Sequence, residues 1–357
     1  GKTGNQEIGS YVTQQFVGVN SSIVMGGKTI TGIYPSSVGN PDLKWETTRQ
    51  WDAGIDIGLF HDRIQLVLDY YNKKTTDMLL DVPLPYSTTV GTAKLNYGAV
   101  GNRGFEITLN TRNIDKGDFQ WNTTFTLSSN HNEVLALGPT GAPIYQQTGA
   151  GNATTVIRIG APIGSFFGLN RIGTWKTTEA VEAARYGMIP GDLRFEDRNN
   201  DGKIELLSDG DIIGRAFPKI IAGFNNTFKY KNFDASIDIA IVSGVNKAFI
   251  HESAEDRQLV SGGLNSSLQA WRPDNQNSVV AQFRPGNGGG YYQSYADTHM
   301  ISDGSFIRGS NATLGYTFPS HFLGLEKLRI YLNTTNFFLI TKCEGYDPEG
   351  SSLDKNL

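Results

Sequence analysis

Gln50-Trp51-Asp52-Ala53-Gly54-Ile55-Asp56-Ile57-Gly58-Leu59 runs through Phe60-His61-Asp62-Arg63 into Ile64-Gln65-Leu66-Val67-Leu68-Asp69-Tyr70. Trp51, Ala53, Ile55, Ile57 and Leu59 alternate with polar or small residues, and so do Ile64, Leu66, Leu68 and Tyr70. Side chains in a strand point to opposite faces in turn, so each half is a strand with one apolar face. His61-Asp62 leaves room only for a tight turn, which makes the pair an antiparallel hairpin.

The same signature recurs outward from this hairpin. Phe105, Ile107 and Leu109 alternate with Glu106 and Thr108, and Trp121, Phe125 and Leu127 share a face opposite Asn122, Thr124 and Thr126. Ala222, Phe224, Phe228 and Tyr230 form another such face, followed by Phe233, Ala235, Ile237, Ile239 and Ile241. A last pair spans about 305–318 and 327–340. Two more strands are expected near 8–17 and 164–175.

Alternation alone fits either a two-layer sandwich or a barrel wall. Two details favour a membrane barrel. The polar faces carry ionisable residues in mid-strand (Asp52, Asp56, Asp69, Glu106, Asp234, Asp238), which a wet lumen tolerates as a soluble surface would. The connections also alternate in length. His61-Asp62, residues 113–118, Lys231-Asn232 and residues 319–326 are short, whereas about 73–102, 130–217 and 244–304 are long. Short turns at one end and long loops at the other are the arrangement of outer-membrane barrels. Phe60, Phe119, Trp121, Tyr230, Phe233 and Phe318 gather beside the short turns, as an interfacial girdle or as the closed end of a sandwich core.

Composition agrees with an all-β chain. The 357 residues include 42 Gly, 15 Tyr and 19 Phe, with 38% hydrophobic and 18% charged residues, a balance suited to turns and pleated strands. The net charge of −4 offers no basic field for nucleic acid. A single cysteine, Cys343, excludes an internal disulfide. No apolar run reaches the length of a membrane-spanning helix.

Several stretches together resemble the SusC/RagA class of TonB-dependent importers. They are Asn40-Pro41-Asp42-Leu43-Lys44-Trp45-Glu46, Tyr71-Asn72-Lys73-Lys74-Thr75-Thr76-Asp77-Met78-Leu79-Leu80, and Asn96-Tyr97-Gly98-Ala99-Val100-Gly101-Asn102-Arg103-Gly104-Phe105-Glu106. Asp303-Gly304-Ser305-Phe306-Ile307-Arg308 with Thr313-Leu314-Gly315-Tyr316, and Asn336-Phe337-Phe338-Leu339-Ile340-Thr341-Lys342 with Gly345-Tyr346-Asp347-Pro348-Glu349, complete the series. Their order is the family's, and they span nearly the whole chain. The resemblance implies a transmembrane antiparallel barrel of about 22 strands closed around a plug, of which residues 1–357 would form part of the wall and vestibule loops. Plug, TonB-contacting segment and signal peptide are then expected before Gly1, and closing strands after Leu357. The resemblance also implies TonB-driven import of an oligosaccharide or oligopeptide across the outer membrane of a Bacteroidetes-type bacterium, with a SusD-like surface lipoprotein as partner and no covalent chemistry. The competing reading is a secreted, calcium-stiffened β-sandwich that binds carbohydrate.

One stretch has metal-ligand spacing. Asp197-Arg198-Asn199-Asn200-Asp201-Gly202-Lys203 fits D-x-N-x-D-G, in which alternate side chains converge on a cation and the glycine permits the sharp turn. Asp197, Asn199, Asp201, the Lys203 carbonyl and Asp209 are the expected ligands of a calcium ion in loop 197–209. The closing acid belongs at position twelve, which is Ser208; Asp209 follows one residue later. The same composition also describes a solvated turn. Phe166, Phe167, Trp271, Arg272, Tyr291 and Tyr292 are candidates to stack on sugar rings or peptide side chains. His61, His131, His251, His299 and His321 show no ligand spacing, so no zinc site is expected. Gly1-Lys2-Thr3 shares its residues with the end of a phosphate-binding loop, but no helical pattern follows it, and nucleotide binding is not expected.

Overall fold

A computed structural model describes residues 2–3, 13–84, 90–147, 154–248, 270–282, 296–319, 324–343 and 347–350. Lys2–Thr3 (β1) precedes a hairpin of Val17–Met25 (β2) and Lys28–Pro35 (β3). Four long strands follow: Glu46–Leu59 (β4), Ile64–Pro83 (β5), Thr92–Lys116 (β6) and Phe119–Ala136 (β7). A first excursion holds Ile144–Gln147 (β8), Thr154–Ile157 (β9), Ser165–Gly168 (β10) and Arg171–Thr174 (β11). It continues with helix Ala180–Arg185 (α1), Leu193–Phe195 (β12), Leu206–Asp209 (α2) and Asp211–Arg215 (β13). Ile220–Tyr230 (β14) and Phe233–Ser243 (β15) lead to a second excursion, with Asn246–Ala248 (β16) and Ile301–Asp303 (β17). Phe306–Thr317 (β18) and Arg329–Thr341 (β19) are the last described strands.

The principal sheet has nine strands in the order β1-β4-β5-β6-β7-β14-β15-β18-β19. Every neighbouring pair is antiparallel, and the sheet is open at both edges among the described residues. Its register brings the predicted apolar residues into rows. Ile55, Leu68, Ile107 and Leu127 pair in series across β4 to β7, and Phe125, Phe224 and Ile239 across β7, β14 and β15. Trp121 stacks on Phe228 with centroids 5.7 Å apart. A sandwich would bury these rows under a second sheet. Instead no second sheet covers them among the described residues: Ile55 is 54% exposed and Phe224 37%, and on the same face Phe105 is 56% exposed and Leu332 73%.

The wall strands run past the expected limits. The span 73–102, expected to be a long connection, is mostly strand, since β5 and β6 remain paired out to Pro83 and Thr92. Asp77 explains the misreading. It sits at φ 57° inside a bulge between Thr75 and Met78, and a bulge shifts the side-chain alternation by one residue. At the other end, residues 113–118 shrink to a two-residue turn at Gly117-Asp118, with a bulge near Asn113 absorbing the irregularity. Gly117 stands at φ 57°, a conformation that favours glycine. Of the two additional expected strands, the first half of 8–17 (8–12) falls outside the described residues and only Val17 of the rest is strand, at the start of β2, and 164–175 becomes the short β10 and β11. The β2–β3 hairpin was not anticipated.

The long spans 130–217 and 244–304 contain structure of their own. Order β13-β10-β9-β8 makes a four-stranded sheet, and β11 with β12 and β16 with β17 make two-stranded ones. This assembly has a conventional interior: Val156 and Leu169 are fully buried, and Phe167 and Met300 are each 2% exposed.

Candidate functional site

The two excursions interlock at the long-connection end of the wall. Arg171 on β11 donates from Nε to Asp297 Oδ2 (3.1 Å), with both side chains only 4% exposed. A second Arg171 bond, from Nη1, reaches the Val279 carbonyl at 3.0 Å. Leu169 N–H donates to the Ala296 carbonyl, Thr174 Oγ1 to the Ser278 carbonyl, and Gln282 Nε2 to the Pro190 carbonyl. A buried ion pair offsets its desolvation only with good geometry and further hydrogen bonds; Arg171 reaches Asp297 from two nitrogens and the Val279 carbonyl from the third. Sequence reading could not find these residues, because the partners lie more than ninety positions apart and no local pattern links them.

Beside this junction the Arg194 guanidinium lies 4.4 Å over the Trp175 ring, and Tyr186 packs 5.6 Å from Trp175. Arg194 also pairs with Glu179 at 2.8 Å. The Tyr186 hydroxyl donates to Asp197 Oδ2 (3.1 Å). Burial and the carboxylate together raise the Tyr186 pKa above its ordinary value.

Loop 197–209 adopts the compact turn that its spacing predicts. Gly202 N–H donates to Asp197 Oδ2 (2.9 Å), Asp201 N–H to Asn199 Oδ1 (3.0 Å) and Lys203 N–H to Asp201 Oδ1 (2.8 Å). Asn200 and Gly202 both take positive φ, at 58° and 81°. Asp209 closes the loop from α2. Its Oδ1 accepts from Arg198 N–H, its Oδ2 from Glu205 N–H, and the side chain is 1% exposed. Asp197 Oδ1, by contrast, is buried without a hydrogen-bond partner. Burial opposes ionisation of Asp197, but the N–H donors and Tyr186 outweigh it, so the pKa lies below the ordinary carboxylate value. Among the described residues no three His, Cys, Asp or Glu side chains converge as a metal-binding group.

The aromatic candidates separate by burial. Phe167 packs 4.9 Å from Tyr145, and Trp271 is 7% exposed beneath the junction. Packing contacts thus take the place of the ligand contacts expected of Phe167 and Trp271. Phe166 is half-buried, and Arg272 is exposed and pairs with Asp274. Tyr291 and Tyr292 lie outside the described residues. The polar face of the wall is a field of amides and hydroxyls. Tyr71 Oη donates to Asn130 Oδ1, Asn132 Nδ2 to Asn102 Oδ1, and Asn311 Nδ2 to Asp238 Oδ2. Such a surface can bind polar solutes.

Comparison with known proteins gives a consistent answer. Residues 10–337 match the family model for the TonB dependent receptor-like β-barrel. The chain is 34% identical over its whole length to TonB-dependent receptor P3 of Formosa agariphila, covering 36% of that protein. It is 29% identical to TonB-dependent receptor SusC of Bacteroides thetaiotaomicron, again over its whole length and over 35% of SusC. In structure it resembles the RagAB peptide transporter, with TM-score 0.73 and 26% identity over 97% of this chain and 37% of the other. The chain therefore spans about a third of the relatives it matches. With its open antiparallel wall and bare apolar rows, the chain belongs to the TonB-dependent receptor β-barrel family.

Proposed function

We propose that this chain is wall and vestibule of a TonB-dependent importer of the outer membrane, taking up a large nutrient of the oligosaccharide or oligopeptide kind. The observation that carries this reading is the two-faced wall, with exposed apolar rows on one face and a hydrogen-bonded polar face on the other, and the interlocked loop assembly at its long-connection end. Lipid replaces water against the apolar rows, and between the two edges of the sheet the strands pair with a neighbour on each side, as a spanning sheet requires. The amides of Asn102, Asn130, Asn132 and Asn225 line the passage. The interlocked excursions form the rim on which a SusD-like surface lipoprotein docks, and energy arrives from TonB through a plug. The neighbours' names supply both nutrient types, a peptide transporter and SusC. The test uses the full-length protein. A deletion strain should lose growth on one class of polymer, and protonophore treatment of the wild type should abolish uptake of the same polymer. Uptake unaffected by both treatments would defeat the proposal.

Within the rim, calcium is proposed to stiffen loop 197–209. Asp197 Oδ1, buried and without a donor, supports this. Asn199, Asp201 and the Lys203 carbonyl would complete the cradle, and Asp209 would have to exchange its N–H partners for the ion. Calorimetric titration should show one site that is lost in Asp201→Ala; no heat at millimolar calcium removes the ion from the account.

A further inference from the structure

The apolar rows of β4 to β7 end in a group of cations. Arg49 pairs directly with Lys74, Asn72 with Arg103, and Arg103 with His131, so the four basic side chains surround Asn72 on the apolar side of the sheet. Alternation fixes the face: Arg49 shares it with Trp51, Lys74 with Tyr70, and Arg103 with Phe105. Immediately below runs an aromatic row, Trp51 to Tyr70 at 5.3 Å and Tyr70 to Phe105 at 5.0 Å between centroids. Arg49, Lys74 and Arg103 are exposed and have no ion-pair partner among the described residues. Glu133, a carboxylate on this face, faces His131 at 3.5 Å.

Position along the strand identifies the solvent. From Ile64 beside the short turn to Lys74 is roughly 33 Å of strand, which at a tilt of about 40° rises about 25 Å, the height of the apolar band in outer-membrane barrels. The cations therefore stand where the band ends on the long-loop side, above a row of interfacial aromatics. Like charges directly opposite one another in a sheet repel. Arg49 and Lys74 tolerate that placement if an anion sits between them, and planar guanidinium groups favour phosphate.

On the membrane-wall reading above, we propose that Arg49, Lys74 and Arg103 form a binding site for the phosphorylated headgroup of the outer-leaflet glycolipid. The aromatic row seats its acyl chains and Asn72 offers its amide at the centre. The site anchors one lipid to the outside of the wall, away from the transport path.

The test uses full-length protein in detergent and two probes, lipid A and the same lipid A after phosphatase treatment. The intact protein should prefer the phosphorylated probe by at least about tenfold, and the preference should shrink as salt rises. The triple variant R49Q/K74Q/R103Q should bind both probes alike, whereas R49K/R103K should keep most of the preference. Heat-modifiable migration on gels reports whether each variant is folded. If the triple variant does not fold, the exposed single substitution Lys74→Gln, expected to reduce the preference severalfold, decides. Equal binding of the two probes by the intact protein, or a preference that survives neutralisation of the cations, overturns the site. Loss of nutrient uptake with lipid preference intact would instead bear on the transport proposal, which keeps the two failures distinct.

Discussion

The wall and the loop assembly obey opposite solvent rules within one chain. Along the wall, Phe105, Leu314 and Leu332 are more than half exposed, and strands of up to 25 residues are held by long ladders interrupted only at bulges. In the loop assembly the strands are three to five residues long, and Leu169, Val156 and Ala281 are fully buried. One region relies on backbone pairing and leaves its apolar side chains to the bilayer. The other is a small globular core tied across two distant segments by the Arg171–Asp297 ion pair and by side-chain-to-backbone bonds. The wall should therefore be robust to single polar losses, and the loop assembly sensitive to them.

Asp297→Ala is the sharpest way to break that contrast. It leaves the Arg171 guanidinium buried without its carboxylate and removes the acceptor for His299 N–H. Loss of one partner from a buried pair costs about 3–5 kcal/mol. Hydrogen exchange in full-length protein should show deprotection spreading through β10 to β13 and residues 270–282 together, while β4 to β7 stay protected. Deprotection confined to one excursion would mean that the two do not behave as a unit.

In the wall, the comparable weak point is steric. A Cβ on Gly104 would lie 2.1 Å from the Ser129 carbonyl oxygen and 2.5 Å from Tyr71 Oη. The tyrosine can turn away, but the carbonyl belongs to the β6–β7 ladder. Gly104→Ala should destabilise the wall by about 1–3 kcal/mol, seen as a lower temperature for loss of heat-modifiable migration. Unchanged stability would show that the ladder there gives way easily.

The contrast also explains what could be read in advance. Wall strands obey a period of two that the bilayer enforces on every residue, so Trp51–Leu59 and Phe233–Ile241 declare themselves locally. Reading failed where a bulge breaks the period, as at Asp77, and at the other end, where Asn113 to Lys116 extend a strand taken for a turn. The loop assembly has no such period. Its elements are too short to show one, and the Arg171–Asp297 junction exists only in three dimensions. Loop 197–209 was legible because a turn built from Asp, Asn and Gly has fixed spacing, yet the burial of Phe167 and Trp271 was not, since aromatic content alone does not distinguish core from contact.

The smallest expected effect concerns how loop 197–209 is held to the sheet beside it. Asp211 on β13 accepts from Arg158 (3.0 Å) and pairs with Arg198 (2.8 Å), joining the loop to the end of β9. Burial raises the Asp211 pKa, but the Ile212 N–H and the two guanidinium groups lower it more, so the net displacement is downward. A depressed carboxylate contributes stability in full above its unfolded pKa, about 3.9. That contribution disappears as pH falls through the lower folded value. All three side chains are about 40% exposed, so solvent screening keeps the effect modest. Amides of residues 198–212 should exchange faster below pH 4 than at pH 6, after correction for intrinsic rates, with no change in the wall. Asp211→Asn should remove the part of that response due to this carboxylate and leave the part due to Asp197. If the pH response of the variant matched that of the original protein, the hold on the loop would rest on Asp209 and its two N–H bonds instead.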